Sequence, residues 1–175
     1  SMVDREVGNV LDLLRKLGLE ENTIVFFTGD NGGQDRFKSK EHPRGFFGPN
    51  VNPETGVEFR GGKGNLYEGG LKIPFLVRWP GVVAANTVRD LVFYQPDMMA
   101  TIADLTNTKA PEDTDGISIA PTLLGADGSQ KLHEMMYWEY GNQTAVRYGK
   151  WKAIQPGKPK GSKQNQPWEL YDLSR

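Results

Sequence analysis

The chain has 175 residues, 37% of them hydrophobic, and a formal net charge of −1. That allows one domain, or one and a fraction, with a real core, and it removes any global electrostatic case for nucleic acid or an anionic membrane. Cysteine is absent, which excludes disulfides, zinc–thiolate sites and cysteine-derived catalysis within these residues. Val3, Val7, Val10, Leu11, Leu14 and Leu17 recur at helical spacing, with acidic residues early, Arg15 and Lys16 late and Gly18 beyond. This predicts a helix over 3–17 with Gly18 as its C-cap. Thr23–Thr28 is short and nearly all apolar, as suits a parallel strand covered on both faces. Asp30-Asn31-Gly32 breaks it at its C-terminal end, where ligands bind in open α/β sheets.

Residues 33–62 show no periodicity and are rich in Gly, Pro, Asn and charge. A structureless stretch of about thirty residues is uncommon in a compact domain and usually functional. Residues 73–79 predict a second apolar strand, closed by Pro80-Gly81. Pro96 suits a first helical position, and Met98, Met99, Ile102 and Leu105 predict the apolar face of a helix over 96–105. After a loop-rich connection over 107–125 the character changes. Met135–Tyr140, Gln143–Tyr148 and Trp151–Ile154 are aromatic or β-branched and are separated by Gly141-Asn142 and Gly149-Lys150, as antiparallel hairpins require. Trp168–Leu173 predicts a last strand. We therefore expect an α/β portion over 1–125 and a small antiparallel subdomain over 126–175. No apolar run is long enough to span a bilayer, and no secretory signal opens the chain. We expect both ends to be cut rather than natural.

Asp30 and Asn31 carry a carboxylate and an amide oxygen, the donors that hard cations such as Ca²⁺ and Mg²⁺ take. Two adjacent donors do not complete a shell, and Asp-Asn-Gly is also a favourable turn sequence by itself. Lys63 lies among glycines, which let backbone amides approach a ligand, and its ammonium is a compact charge for an oxyanion. A surface lysine in a turn is the other reading. Glu68 could pair with Lys72 four residues on if that stretch is helical. His42, in the long loop, is a substrate contact or an exposed side chain; His133 is structural or solvated. No serine stands in a nucleophile-elbow setting. Asp115-Gly116 and Gly125–Gly128 read as turns.

Four runs, in order, resemble the sulfatase family. They are Asn22-Thr-Ile-Val-Phe-Phe-Thr-Gly-Asp-Asn-Gly32, Gly61-Gly-Lys-Gly-Asn-Leu-Tyr-Glu-Gly-Gly-Leu-Lys-Ile-Pro-Phe-Leu-Val-Arg-Trp-Pro-Gly81, Asp115-Gly-Ile-Ser-Ile-Ala-Pro-Thr-Leu-Leu-Gly125 and Trp168-Glu-Leu-Tyr-Asp-Leu173. The resemblance covers nearly the whole chain. It implies part of an alkaline-phosphatase-like α/β domain, with a parallel or mixed sheet and flanking helices, followed by a small antiparallel α+β subdomain. It implies that Asp30 and Asn31 bind one divalent cation, usually Ca²⁺, and that Lys63 contacts the sulfate as a catalytic and substrate-binding residue. In the family a formylglycine made from Cys or Ser in a Cys/Ser-x-Pro-x-Arg motif attacks the ester through a covalent intermediate. That motif is absent from these residues, and the family's early aspartates would lie before residue 1. The family's usual Ser before the Asp is Gly29 here.

The resemblance implies the C-terminal part of a sulfatase acting on a sulfated small molecule or glycan, with the missing N-terminal part of the sulfatase as its partner. The family habit of export points to the periplasm or the exterior for the whole protein. A phosphate or phosphonate ester hydrolase of the same superfamily is the first alternative, since Lys63 and a metal would serve phosphate as well. A non-catalytic module that binds sulfated ligands is the second. This chain alone is expected to have no turnover, and uncovered strand edges are expected to drive its self-association.

Overall fold

The computed structural model describes residues 2–34, 39–41, 51–159 and 161–174. The chain forms two compact units, each built from two segments: Ser1–Phe27 with Leu76–His133, and Thr28–Phe75 with Glu134–Arg175. Packing thus groups residues 28–75 with the sheet that follows residue 126.

The first unit opens with helix α1, Met2–Lys16. Its end is a Schellman motif: Leu19 N–H bonds Leu14 O at 3.0 Å, and Gly18 N–H bonds Arg15 O at 3.1 Å. Gly18 is therefore the cap its position predicts. Strand β1, Val25–Thr28, pairs with β2, which spans Phe75–Arg78. Arg78 forms an ion pair with Glu20, and the Trp79 indole N–H donates to Glu21 O at 3.2 Å. The expected burial of these strands on both faces is not observed. Phe27 is 42% exposed and Leu76 57% exposed; among the described residues the sheet that β1 and β2 form has two strands.

Helix α3 spans Pro96–Leu105, with proline in its first turn as expected, but of the predicted apolar face only Met98 and Leu105 are half-buried, and its fully buried positions are others. Met99 and Ile102 are exposed, whereas Asp97, Thr101 and Ala103 are buried. The reason is hydrogen bonding. Asp97 Oδ1 accepts from Ile117 N–H at 2.7 Å, Asp97 Oδ2 accepts from Tyr94 N–H at 2.9 Å, and Thr101 Oγ1 accepts from Ile119 N–H at 2.9 Å. Two polar side chains thus dock the segment that leads into the one-turn helix α4, Ala120–Leu123. His133 completes the cluster: its Nε2–H donates to Asp97 Oδ1 at 2.7 Å, and its ring meets Tyr94 edge-on with centroids 4.9 Å apart. Asp97 is fully buried and the His133 side chain is 10% exposed, so His133 is structural.

The second unit is organised by a four-stranded antiparallel sheet in the order β3 (Met135–Tyr140), β4 (Gln143–Tyr148), β5 (Trp151–Gln155), β6 (Glu169–Asp172). The two hairpin loops are Gly141-Asn142 and Gly149-Lys150, the positions the sequence singles out. Alternation puts Met136, Ala145, Lys152 and Ile154 in the interior and leaves Met135, Tyr137, Tyr148, Trp151 and Leu170 exposed. The inner face packs on Leu66, with Tyr67 and Leu71 beside it. Leu71 ends the one-turn helix α2, Glu68–Leu71. The sheet therefore rests on the segment that carries Lys63.

Candidate functional site

Asp30, Asn31 and Lys63 all lie in the second unit, on two loops joined by their backbones. Gly32 N–H donates to Gly70 O at 2.9 Å, and Lys63 N–H donates to Gly33 O at 2.9 Å. These bonds place the run that follows β1 beside the run that precedes β2. The approach is so close that only glycine fits. A Cβ on Gly32 would stand 1.7 Å from the carbonyl oxygen of Gly69, far inside contact distance. Gly29 is different: a Cβ there would meet only ordinary neighbours, the nearest being Asn31 O at 3.4 Å, so the serine usual in the family would be accommodated.

Lys63 sits within a turn closed by Asn65 N–H bonding Gly62 O at 3.2 Å, and Gly64 follows it at φ +86°. A positive φ at the third position of a turn is what a type II turn asks of glycine. The turn fixes the Lys63 backbone while its side chain remains exposed. Asp30 is exposed and Asn31 half-buried. Asn31 Nδ2 donates to Gly32 O at 3.0 Å, which leaves the amide oxygen as the end available to a cation. The two donor types fit a hard cation. They are a share of a shell, since calcium takes about six to eight oxygens, and among the described residues no group of three or more acidic or histidine side chains gathers as a metal centre. His42 falls outside the described residues.

The second unit also contains polar contacts that sequence reasoning missed. Glu68 does not form the expected pair with Lys72. Its carboxylate is 2.7 Å from the ammonium of Lys152 on β5, whose side chain is 3% exposed. Burial pushes the Lys152 ammonium below the ordinary lysine range, outweighing the carboxylate beside it. Arg60 bonds Glu169 on β6 at 2.8 Å and lies over the Tyr67 ring, 4.1 Å from its centroid. The Tyr67 hydroxyl donates to Glu169 at 3.1 Å, and Tyr171 donates to the same carboxylate. Hydrogen bonding from Tyr171 holds the Glu169 carboxyl below its usual range, although burial opposes it. On β4, Gln143 accepts from Leu66 N–H at 3.3 Å and donates to Gly64 O at 3.1 Å. The available signal was alternation: Gln143 and Lys152 are polar residues on the strand face that Ala145 and Ile154 mark as inward.

The sulfatase family model matches residues 1–108, and the model for the C-terminal region of N-sulphoglucosamine sulphohydrolase matches residues 61–175. The chain belongs to the sulfatase family. It is 35% identical over 158 residues to an N-acetylgalactosamine-6-O-sulfatase of Bacteroides thetaiotaomicron, covering 88% of this chain and 30% of that protein. It is 38% identical over 167 residues to the steryl-sulfatase of Rattus norvegicus, covering 87% of this chain and 26% of that one. A solved Bacteroides thetaiotaomicron sulfatase, from work on the metabolism of multiple glycosaminoglycans, superposes with a TM-score of 0.74 at 30% identity, over 98% of this chain and 37% of that chain. The fold is accordingly a part of the alkaline-phosphatase-like α/β fold of sulfatases. The chain spans less than a third of the length of the curated relatives it matches. Among the described residues, no helix is long and apolar enough to cross a membrane.

Proposed function

We propose that this chain is the C-terminal part of a sulfatase that hydrolyses an aryl or carbohydrate sulfate ester, with Asp30, Asn31 and Lys63 as its share of the active site. The observation that carries the proposal is the pair of backbone hydrogen bonds, Gly32 to Gly70 and Lys63 to Gly33, which unite the two loops. A carboxylate, an amide oxygen and an ammonium then stand on one glycine-packed base. Asp30 and Asn31 hold a divalent cation, Ca²⁺, whose charge when bound screens the sulfate. The Lys63 ammonium neutralises charge on the sulfate oxygens as the S–O bond is attacked. The nucleophile comes from residues outside this chain. A sulfated glycan is the favoured substrate class, as the names of the glycosaminoglycan-related relatives suggest. The whole protein acts in the periplasm or outside the cell.

The test is an assay of the full-length protein with an aryl sulfate and the matching aryl phosphate. Lys63→Ala is expected to lower kcat/KM on the sulfate ester by ~10²–10³-fold, the usual loss of an oxyanion-stabilising donor, with an unchanged melting temperature. Asp30→Ala is expected to weaken Ca²⁺ binding by calorimetry. A wide preference for the phosphate ester would move the assignment to phosphoryl chemistry, and Lys63→Ala with full activity would remove the lysine from the site.

A further inference from the structure

We infer that Gln143, on the C-terminal sheet, is a positioning residue for Lys63; the inference rests on the sulfatase reading of that lysine. Lys63 has one backbone anchor on its N-terminal side, where its own N–H bonds Gly33 O at 2.9 Å. On its C-terminal side the anchor is Gln143. The Gln143 amide donates to Gly64 O at 3.1 Å and accepts from Leu66 N–H at 3.3 Å. One side chain thus bonds the loop backbone twice, as a neighbouring strand would, and does so at the residue next to Lys63.

This pairing matters because it adds a side-chain tether to a turn whose own closure is the single bond from Asn65 N–H to Gly62 O. Gly61, Gly62 and Gly64 surround Lys63, and glycine brings the largest conformational freedom to be restrained. Gln143 is itself well placed to restrain it. It opens β4 directly after the Gly141-Asn142 hairpin loop, opposite Tyr140 in the ladder, and shares the inward face with fully buried Ala145. Further along the loop, Glu68 is held by Lys152 from β5, and upstream of it Arg60 is held by Glu169 from β6. Three adjacent strands therefore grip the segment 60–68, and Gln143 grips it nearest the ammonium-bearing residue. A displacement of about 1 Å in a charged group can cost on the order of a hundredfold in rate, so a residue that never touches substrate can act through Lys63.

A double-mutant cycle on the full-length protein tests this, with an aryl sulfate as substrate and melting temperature measured alongside. Gln143→Leu removes both bonds at similar volume. It is expected to lower kcat/KM by about tenfold or more when Lys63 is present, and by less than about twofold in the Lys63→Ala background, because coupled residues are not additive. Gln143→Glu keeps the acceptor for Leu66 and gives up the donor to Gly64; it is expected to fall between wild type and Gln143→Leu, and it carries the cycle if Gln143→Leu does not fold. Equal fold-losses in the two backgrounds would show that Gln143 acts independently of Lys63 and would overturn the inference alone. A harmless Lys63→Ala would overturn the sulfatase role of the lysine, and the inference with it.

Discussion

Two polar assemblies of this molecule are built on opposite plans. Around Asp97 in the first unit, the side chains satisfy one another and the backbone: the buried carboxylate takes hydrogen bonds from His133, Tyr94 and Ile117, and Thr101 takes one from Ile119. Around Lys63 in the second unit, backbone bonds backbone through glycine, and the side chains of Asp30 and Lys63 are exposed on the joined loops. A cluster built round a fully buried carboxylate that already accepts from His133, Tyr94 and Ile117 is a latch. A base made of glycine backbone holds its charged side chains without using them. The difference separates a structural carboxylate and histidine from a candidate catalytic set, although each contains residue types that catalysis could employ.

Breaking the glycine base gives the largest expected effect. In Gly32→Ala the new Cβ would overlap the Gly69 carbonyl at 1.7 Å, and the loops must part. We expect a loss of ~4 kcal/mol in stability, at the diagnostic end of single substitutions, together with lost sulfatase activity. Chemical denaturation and the aryl sulfate assay read both. Breaking the latch should cost less and leave the chemistry alone. Asp97→Leu strands two backbone N–H groups and the His133 ring, for a loss of about 3 kcal/mol, whereas activity per folded molecule is expected to stay within about twofold of wild type. A steep loss of kcat with normal stability would place Asp97 in the site and dissolve the contrast.

The smallest expected effect sharpens the comparison through pH. Burial and the hydrogen bond to Glu169 push the Tyr67 hydroxyl up to about 12 from 10.0. A group raised in this way contributes stability that is complete below its unfolded value of 10.0 and is lost as pH rises through about 12. The melting temperature of Tyr67→Phe should therefore lie slightly below that of wild type at neutral pH. The gap should narrow over that alkaline window, and a gap independent of pH would show that the hydroxyl contributes nothing through its proton.

Much of this was legible in the sequence, because much of it is local. Helix α1 and its glycine cap, the proline start of α3 and the four strands after residue 134 follow from spacing and turn chemistry over a few neighbouring residues. The roles proposed for Asp30, Asn31 and Lys63 rest instead on the family resemblance, since each also reads locally as a turn or a surface side chain. What the sequence could not determine is which residues meet across long separations. Only the tertiary structure decided that α3 fully buries Asp97 and Thr101 while Met99 is exposed, that Glu68 pairs with Lys152 rather than Lys72, and that Gln143 reaches Gly64. Periodicity assigns a face by hydrophobicity, but a buried polar side chain is admitted wherever its hydrogen bonds are complete, and those partners lie on other elements. The sequence by itself thus determined the longer helices and the strands, while the one-turn helices α2 and α4 and the close passage of the two glycine loops that carry Asp30, Asn31 and Lys63 were decided by tertiary packing.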